Sequence, residues 1–159
     1  MKTQTNVRLR PATEEDLPLL NAWCAENGID NLPGIEGVTV AVAEQDTTDN
    51  LNTPDGPNSP DTPAGFVRVL QGANGYTHVN PIVVDSQHQG EGIGAVLMQD
   101  ALQKYKELRL VSRGSSLGFY KHLGAEDIDW EDVDMNVVDD CVGCPIHAEC
   151  NPQPVRLTL

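Results

Sequence analysis

Short runs in which hydrophobic and polar residues alternate recur along the chain, and this period-two pattern is typical of half-buried strands. Seven such runs predict strands at residues 7–11, 37–43, 64–70, 77–84, 108–112, 132–138 and 155–159. The third and fourth runs are separated by GANG, residues 72–75, which predicts a turn between consecutive strands.

Three other segments predict helices, at residues 17–24, 96–105 and 115–123. Thr13 and the acidic residues after it are typical of a helix start, and Asn27 with Gly28 predicts where the first helix ends. Gly124 predicts the end of the third helix. The resulting order, βαβββαβαββ, predicts a mixed α/β sheet with a mostly antiparallel first half and one βαβ unit.

Length and composition suit one globular domain over residues 1–159, because 39% of the residues are hydrophobic. The segment from Gln45 to Pro63 contains almost nothing to bury and predicts a mobile surface loop within that domain. No apolar run approaches the ~20 residues of a membrane helix, and the N-terminal MKTQTNVR has no apolar signal-peptide centre. We therefore expect a cytoplasmic protein without a membrane partner.

The chain is acidic, with 24 Asp and Glu against 10 Lys and Arg and a net charge of −14. A nucleic-acid partner is not expected, because binding to nucleic acid depends on neutralising phosphates with basic side chains. The negative charge either attracts cationic substrates or simply keeps the surface soluble.

The segment VDSQHQGEGIGA, residues 84–95, places three alternating glycines at the start of the second predicted helix. A helix N-terminus has unpaired N–H groups and partial positive charge, and glycines let a phosphate approach that backbone closely. A nucleotide P-loop needs a lysine after its last glycine, and none follows here. The dinucleotide fingerprint is met only loosely, by Gly90, Gly92 and Ala95, and one βαβ unit is too few for that fold.

The same segment resembles motif A of the GNAT superfamily of N-acetyltransferases, Q/R-x-x-G-x-G/A, through Gln89, Gly92 and Gly94. The resemblance extends to RLRPATEEDL, to GFVRV and to GFYKHLGA, and so covers residues 7–138 apart from the polar loop. It implies a GNAT-like mixed, mostly antiparallel twisted sheet flanked by helices. It also implies acetyl-CoA as the acyl donor.

The resemblance assigns cofactor contacts to two groups of residues. The end of the fourth strand would offer backbone hydrogen bonds to the pantetheine arm, through Ile82, Val83 and Val84. The loop would give N–H groups to the pyrophosphate, and its residues are Gln89, Gly90, Glu91, Gly92, Ile93, Gly94 and Ala95. The alternative for the glycines is a tight strand-to-helix turn without a ligand. Glu91 would sit beside the bound anion, but its side chain can point to solvent.

Tyr120 matches the tyrosine that protonates the departing thiolate in many members of the superfamily, so the resemblance implies a general acid at this position. The alternative is a core tyrosine beside Phe119 and Leu123. No general base is assigned: His78 on the fourth strand is more simply a packed or solvated side chain, and His88 a structural or exposed one. Many members carry an asparagine after the fifth strand, but in this sequence Arg113 and Ser115 occupy that region.

A Cys-rich connector at residues 139–152 is unusual for this family. Its Cys141, Cys144, His147 and Cys150 recur at three-residue intervals, as in a Cys₃His zinc site. An iron–sulfur cluster with Cys24 as a remote ligand, or a reduced connector without metal, are the alternatives.

Together these features predict an acetyl-CoA-dependent N-acetyltransferase that transfers the acetyl group directly to a primary amine. The acceptor is a small molecule or a peptide, with cationic amines among the candidates, and a homodimer stays open. The alternative from another class is a non-catalytic CoA-binding or metal- or redox-sensing module on the same fold.

Overall fold

A computed structural model describes residues 6–44, 62–72, 75–133 and 152–159 of the chain. Its strands are β1 (Asn6–Pro11), β2 (Val38–Glu44), β3 (Pro63–Gln71), β4 (Thr77–Val84), β5 (Glu107–Ser112), β6 (Glu126–Asp127) and β7 (Gln153–Thr158). Its helices are α1 (Leu17–Glu26), α2 (Ile93–Tyr105) and α3 (Leu117–His122). Short 3₁₀ turns precede each helix, at Glu14–Asp16, Ser86–His88 and Gly114–Ser116, and another lies at Trp130–Asp132.

The strands are hydrogen-bonded neighbours in the order β1-β2-β3-β4-β5-β7-β6, which confirms the predicted mixed α/β class. β1 with β2, β2 with β3, β5 with β7 and β6 with β7 are antiparallel, whereas β4 and β5 are parallel around α2. The single predicted βαβ unit is therefore confirmed as β4–α2–β5.

The residues form two compact units, the first comprising Met1–Arg68 and Pro81–Met98. In this unit α1 buries Leu20, Trp23 and Cys24 against alternate residues of β2 and against Phe66 of β3. The Trp23 and Phe66 rings are stacked, with centroids 6.4 Å apart. Burial of these large side chains supplies most of the driving force for this packing, because hydrophobic stabilisation scales with the apolar area removed from water.

The second unit comprises Val69–Asn80 and Gln99–Leu159. Its centre is the β5–β7 pair, in which Leu108 faces Leu157 and Leu110 faces Val155, all four buried. Between the two leucines of β5, Arg109 is also buried, and its guanidinium stacks 3.4 Å above the centroid of the Tyr76 ring. Arg109 also bonds to Glu107 through Nε, at 2.7 Å, which compensates the buried charge.

Pro81 lies in the middle of β4, although β4 stands between β3 and β5 in the strand order. Proline has no N–H group, so it cannot donate to a ladder and is normally confined to strand edges and irregularities. In the described residues the parallel pairing of β4 with β5 is made by His78 opposite Arg109, before the proline. The sequence itself therefore limits the hydrogen-bonded ladder in the second half of β4.

Three predicted boundaries were wrong. The second helix begins at Ile93 and not at residue 96, because the Val96 N–H already donates to the Gly92 carbonyl, 3.1 Å away. The sixth strand is the pair Glu126–Asp127, which was not predicted, and Asp132 lies in a 3₁₀ turn. Pro63 belongs to β3, whereas the rest of the predicted polar loop, apart from Thr62, lies outside the described residues, as do residues 134–138.

Candidate active site

The connection from β4 to α2 carries a series of backbone donors without partners. No described residue accepts a hydrogen bond from the N–H groups of residues 90–95, and Val96 is the first donor of the helix. These N–H groups belong to the start of a helix, where the peptide dipoles add partial positive charge. Six consecutive donors of this kind can bind an anion such as a phosphate.

Two glycines give this connection its shape. Gly90 and Gly92 have φ angles of +83° and +84°, in the left-handed region that disfavours side chains. A Cβ atom built on Gly92 would have no heavy atom within 4 Å, so the backbone there lies open. The sequence left two interpretations of these glycines, a phosphate-binding loop and a tight turn without a ligand. Both require the geometry that is observed, a tight turn with an accessible backbone.

A third glycine, Gly65 in β3, lets the connection pack closely against the sheet. A Cβ atom at Gly65 would lie 3.0 Å from the Val83 carbonyl oxygen and 3.2 Å from Cγ2 of Ile93. The neighbouring Ala64 carbonyl accepts a hydrogen bond from the Asp85 N–H at 2.9 Å. β3 therefore fixes both the end of β4 and the first residue of α2. Sequence reasoning missed Gly65, although a glycine inside a strand is a known signal of close backbone approach.

The residues that the resemblance assigned to the cofactor are adjacent in the structure. β4 ends with the residues Ile82, Val83 and Val84. The side-chain amide of Gln89 donates a hydrogen bond to the Val84 carbonyl oxygen, 3.4 Å away. Their assignment to pantetheine stays a prediction.

The Glu91 carboxylate is paired with His88, and its side chain is only partly exposed. His88 Nδ1 and Glu91 Oε2 are 2.7 Å apart, and the two side chains are 32% and 19% exposed. The short i,i+3 spacing across the glycine turn brings them together. His88 therefore has a structural contact with Glu91, in agreement with the structural alternative from the sequence.

An open cavity of about 230 Å³ lies beside the end of β4. It is lined from α1 by Trp23, Glu26 and Asn27, and from the β4–α2 connection by Val83, Val84, Asp85, Ser86 and Gln89. Two carboxylates and no basic side chain line it, so it favours a cationic or hydrogen-bond-donating group. The α1 residues of this cavity were not predicted, and the exposed Glu26 on an otherwise packed helix end gave no distinctive sequence signal.

Tyr120 is a buried residue of α3, with 6% of its surface exposed, and its ring meets Phe119 edge-on at 5.0 Å. Burial raises the pKa of Tyr120 to about 12, although nearby Arg113 opposes this. No described residue accepts a hydrogen bond from its hydroxyl, and that oxygen is not among the buried polar atoms without a partner. The tyrosine ring is packed within the second unit. Such a phenol holds its proton until a strong base forms beside it.

The other candidates occupy different positions. His78 is fully buried, and its Nδ1 lies 3.0 Å from the Tyr76 carbonyl oxygen. It is therefore a packed side chain, which was one of the two alternatives from the sequence. Arg113 and Ser115, in place of the expected asparagine, are exposed at the start of α3. None of these three described residues is therefore assigned as a general base.

The predicted metal ligands Cys141, Cys144, His147 and Cys150 lie outside the described residues. Cys24, the proposed remote ligand of an iron–sulfur cluster, is a free thiol in the apolar core of the first unit, and burial raises the pKa of its thiol. That environment suits a small hydrophobic side chain better than a thiolate ligand. Within the described ranges no group of three or more His, Cys, Asp or Glu side chains could hold a metal ion.

Comparison with known families decides what kind of fold carries this site. The acetyltransferase (GNAT) domain matches residues 36–124, which is more than half of the chain. The chain belongs to the GNAT acetyltransferase family. The match includes β2 through α3, and so contains both the glycine connection and Tyr120 of this GNAT chain.

Solved structures share the GNAT fold at low sequence identity. N-acetylglutamate synthase from Neisseria gonorrhoeae, in complex with coenzyme A and N-acetyl-glutamate, is 15% identical with a TM-score of 0.71. The alignment covers 99% of this chain but only 36% of the synthase chain. Rv2747 from Mycobacterium tuberculosis, in complex with CoA, is 13% identical with a TM-score of 0.66, and 96% and 99% of the two chains are covered.

A third relative in structure is Naa50 from Arabidopsis thaliana, bound to a bisubstrate analogue, CoA-Ac-MVNAL, with 17% identity and a TM-score of 0.58. That comparison covers 96% of this chain and 99% of Naa50. Among curated proteins none matches the sequence. In the described part of the chain, no helix combines the length and apolarity that crossing a membrane requires.

Proposed function

We propose that this chain transfers an acetyl group from acetyl-CoA directly to a primary amine. The observation that carries the proposal is the row of N–H groups at residues 90–95, before and at the start of α2 in a GNAT domain, from which no described residue accepts a hydrogen bond. A pyrophosphate is the anion that such a row of donors and the helix dipole would hold best. The CoA complexes of the structural neighbours support the same donor.

The cofactor would be held mainly by backbone. Residues 90–95 would donate to the pyrophosphate, with Gln89 bracing the turn, and the backbone of Ile82, Val83 and Val84 would bond the pantetheine arm. Pro81 supports this second assignment, because a strand that cannot continue its ladder leaves backbone groups for another partner.

The ammonium would first lose a proton to solvent, and the resulting neutral amine would attack the thioester carbonyl carbon. The nitrogen would lose a second proton to solvent, and the tetrahedral intermediate would collapse with cleavage of the C–S bond. Tyr120 would then give its hydroxyl proton to the departing thiolate and recover one from solvent. A phenol of raised pKa is suited to this task, because it stays protonated at neutral pH. No covalent acyl-enzyme is needed, and the free thiol of Cys24 is enclosed in the core.

The cavity lined by Glu26 and Asp85 would receive the acceptor. Its carboxylates would attract the ammonium form of an amine, and the net charge of −14 would assist the approach of cations. Amines on small molecules or peptides are therefore the acceptor class, with cationic ones favoured.

The proposal is tested by incubating the chain with acetyl-CoA and a panel of amines, from spermidine and lysine to neutral amino acids and short peptides, and measuring release of the CoA thiol. In the Tyr120→Phe variant, turnover of the best amine should fall by roughly 10²–10⁴-fold. Affinity for acetyl-CoA should change far less, since the loop contacts remain.

A matched control is Tyr105→Phe, which removes the hydroxyl of an exposed tyrosine at the end of α2 and should leave turnover unchanged. Near-normal turnover of Tyr120→Phe would mean that Tyr120 packs in the core and is not the general acid. CoA binding without transfer to any amine would instead support the non-catalytic binding module.

A further inference from the structure

The proposed pyrophosphate site contains a carboxylate and lacks the basic side chains that commonly accompany phosphates. Between Arg68 and Lys104 the sequence has no Lys or Arg. Glu91 stands inside the row of N–H donors, between two glycines of positive φ. A negative charge at this place opposes the binding of a second anion, because like charges a few ångströms apart repel each other.

His88 is the residue that contacts the Glu91 carboxylate. Of the two histidines between Arg68 and Lys104, His78 is fully buried, whereas His88 is partly exposed. The His88 ring nitrogen Nδ1 lies 2.7 Å from Glu91 Oε2. The His88 N–H donates to the Asp85 carbonyl at 2.8 Å, so a 3₁₀ turn holds the histidine in position.

Glu91 has a second way to interfere. A carboxylate just before a helix can accept hydrogen bonds from the free N–H groups of the first turn, as capping side chains do. In the described residues, the Glu91 side chain bonds to His88 and not to any N–H of α2. Without that bond the carboxylate could occupy the donors that the pyrophosphate needs.

We infer that His88 is a positioning residue for the cofactor, which acts through Glu91. It holds the Glu91 carboxylate away from the N–H donors of residues 90–95 by a hydrogen bond. The inference rests on the proposed function, since it assigns a role in binding the same pyrophosphate. It also explains how a phosphate loop without Lys or Arg can carry a glutamate.

The experiment is a double-mutant cycle on the affinity of coenzyme A, measured by calorimetry with the full chain. His88→Ala should weaken binding about tenfold, the size expected for one charge at a helix terminus. Glu91→Gln alone should leave the affinity equal or higher. The double variant, His88→Ala with Glu91→Gln, should recover most of the loss, because the carboxylate that His88 restrains is then absent.

Salt supplies a second readout. The loss caused by His88→Ala should shrink as ionic strength rises, because screening weakens the repulsion between Glu91 and the pyrophosphate. Gln87→Ala, an exposed change in the same 3₁₀ turn, is the matched control and should leave the affinity unchanged. Circular dichroism of each variant confirms that the fold is kept.

Two results would overturn the inference: full affinity of His88→Ala, or a double variant that binds as weakly as His88→Ala. The second result would mean that His88 shapes the loop independently of Glu91. A wild-type chain that fails to bind coenzyme A would overturn the proposed function and this inference with it. The wild-type isotherm distinguishes that case from the other two.

Discussion

The starts of α1 and α2 lie in the same compact unit but are built in opposite ways. At α1 the Asp16 carboxylate accepts hydrogen bonds from the Thr13 N–H at 2.8 Å, from its hydroxyl at 3.2 Å and from both terminal nitrogens of Arg10. At α2 no described residue accepts from the N–H groups of residues 90–95. The turn that precedes α1 is closed by hydrogen bonds of its own side chains, whereas the described residues leave the turn before α2 open.

This difference separates stability from function. A capped helix start lowers the free energy of the folded chain, because donors and charges find partners within the protein. An open start bears positive φ angles and unpaired donors, which cost stability unless a ligand satisfies them. The contrast therefore predicts that changes at α1 affect folding alone, whereas changes at α2 affect ligand binding first.

The largest expected effect is that of Gly92→Glu. A side chain at this open position would place bulk and negative charge where the pyrophosphate binds, so affinity for acetyl-CoA should fall by at least about a hundredfold. Calorimetry measures the loss directly.

Gly92→Ala is the control for backbone strain, because alanine at a φ of +84° suffers the same steric penalty without the charge. Its affinity should lie between wild type and Gly92→Glu. Unchanged affinity in a folded Gly92→Glu protein would contradict the proposed difference between the two helix starts. The start of α2 would then be a tight turn that binds no ligand.

A smaller effect, on stability alone, is expected for Asp16→Asn. The change removes the charged partner of Arg10 from a largely buried site and should lower the free energy of unfolding by about 1–3 kcal/mol. Urea denaturation measures it. Acetyl-CoA affinity should stay the same, and a parallel loss of affinity would contradict the separation of the two helix starts.

The same residue predicts a pH dependence. The hydrogen bond from Arg10 is the main cause that lowers the pKa of Asp16 below its usual 3.8. A carboxyl with a lowered folded pKa contributes stability above its unfolded pKa and loses it as the pH falls through the folded value. Stability should therefore decline below about pH 4, and this decline should be shallower in Asp16→Asn.

Much of this contrast was visible in the sequence, for physical reasons. Thr13 followed by acidic residues predicted a capped start, and three alternating glycines predicted an open one, since both signals depend on local backbone chemistry. The positions of most strands along the chain followed from period-two runs in the same way. The parallel placement of β4 and β5 around α2 then followed from the βαβ connection.

What the sequence missed depends on contacts between distant residues. The roles of Gly65 and Trp23 arise only when β3 and α1 pack against the end of β4. The pairing of His88 with Glu91 needs the φ angles of the intervening glycine turn, so the sequence did not predict it. The two-residue strand β6 is too short to show a period and is formed by pairing with β7.

The central claim is that the N–H groups of residues 90–95 bind the pyrophosphate, and nitrogen-15 NMR tests it most directly. On titration with coenzyme A, the amide signals of these residues should move downfield, while those of Thr13 to Leu17 stay in place. Pantetheine alone, which lacks the pyrophosphate, should leave all of them unshifted. Saturable binding of coenzyme A without any shift at residues 90–95 would contradict the account.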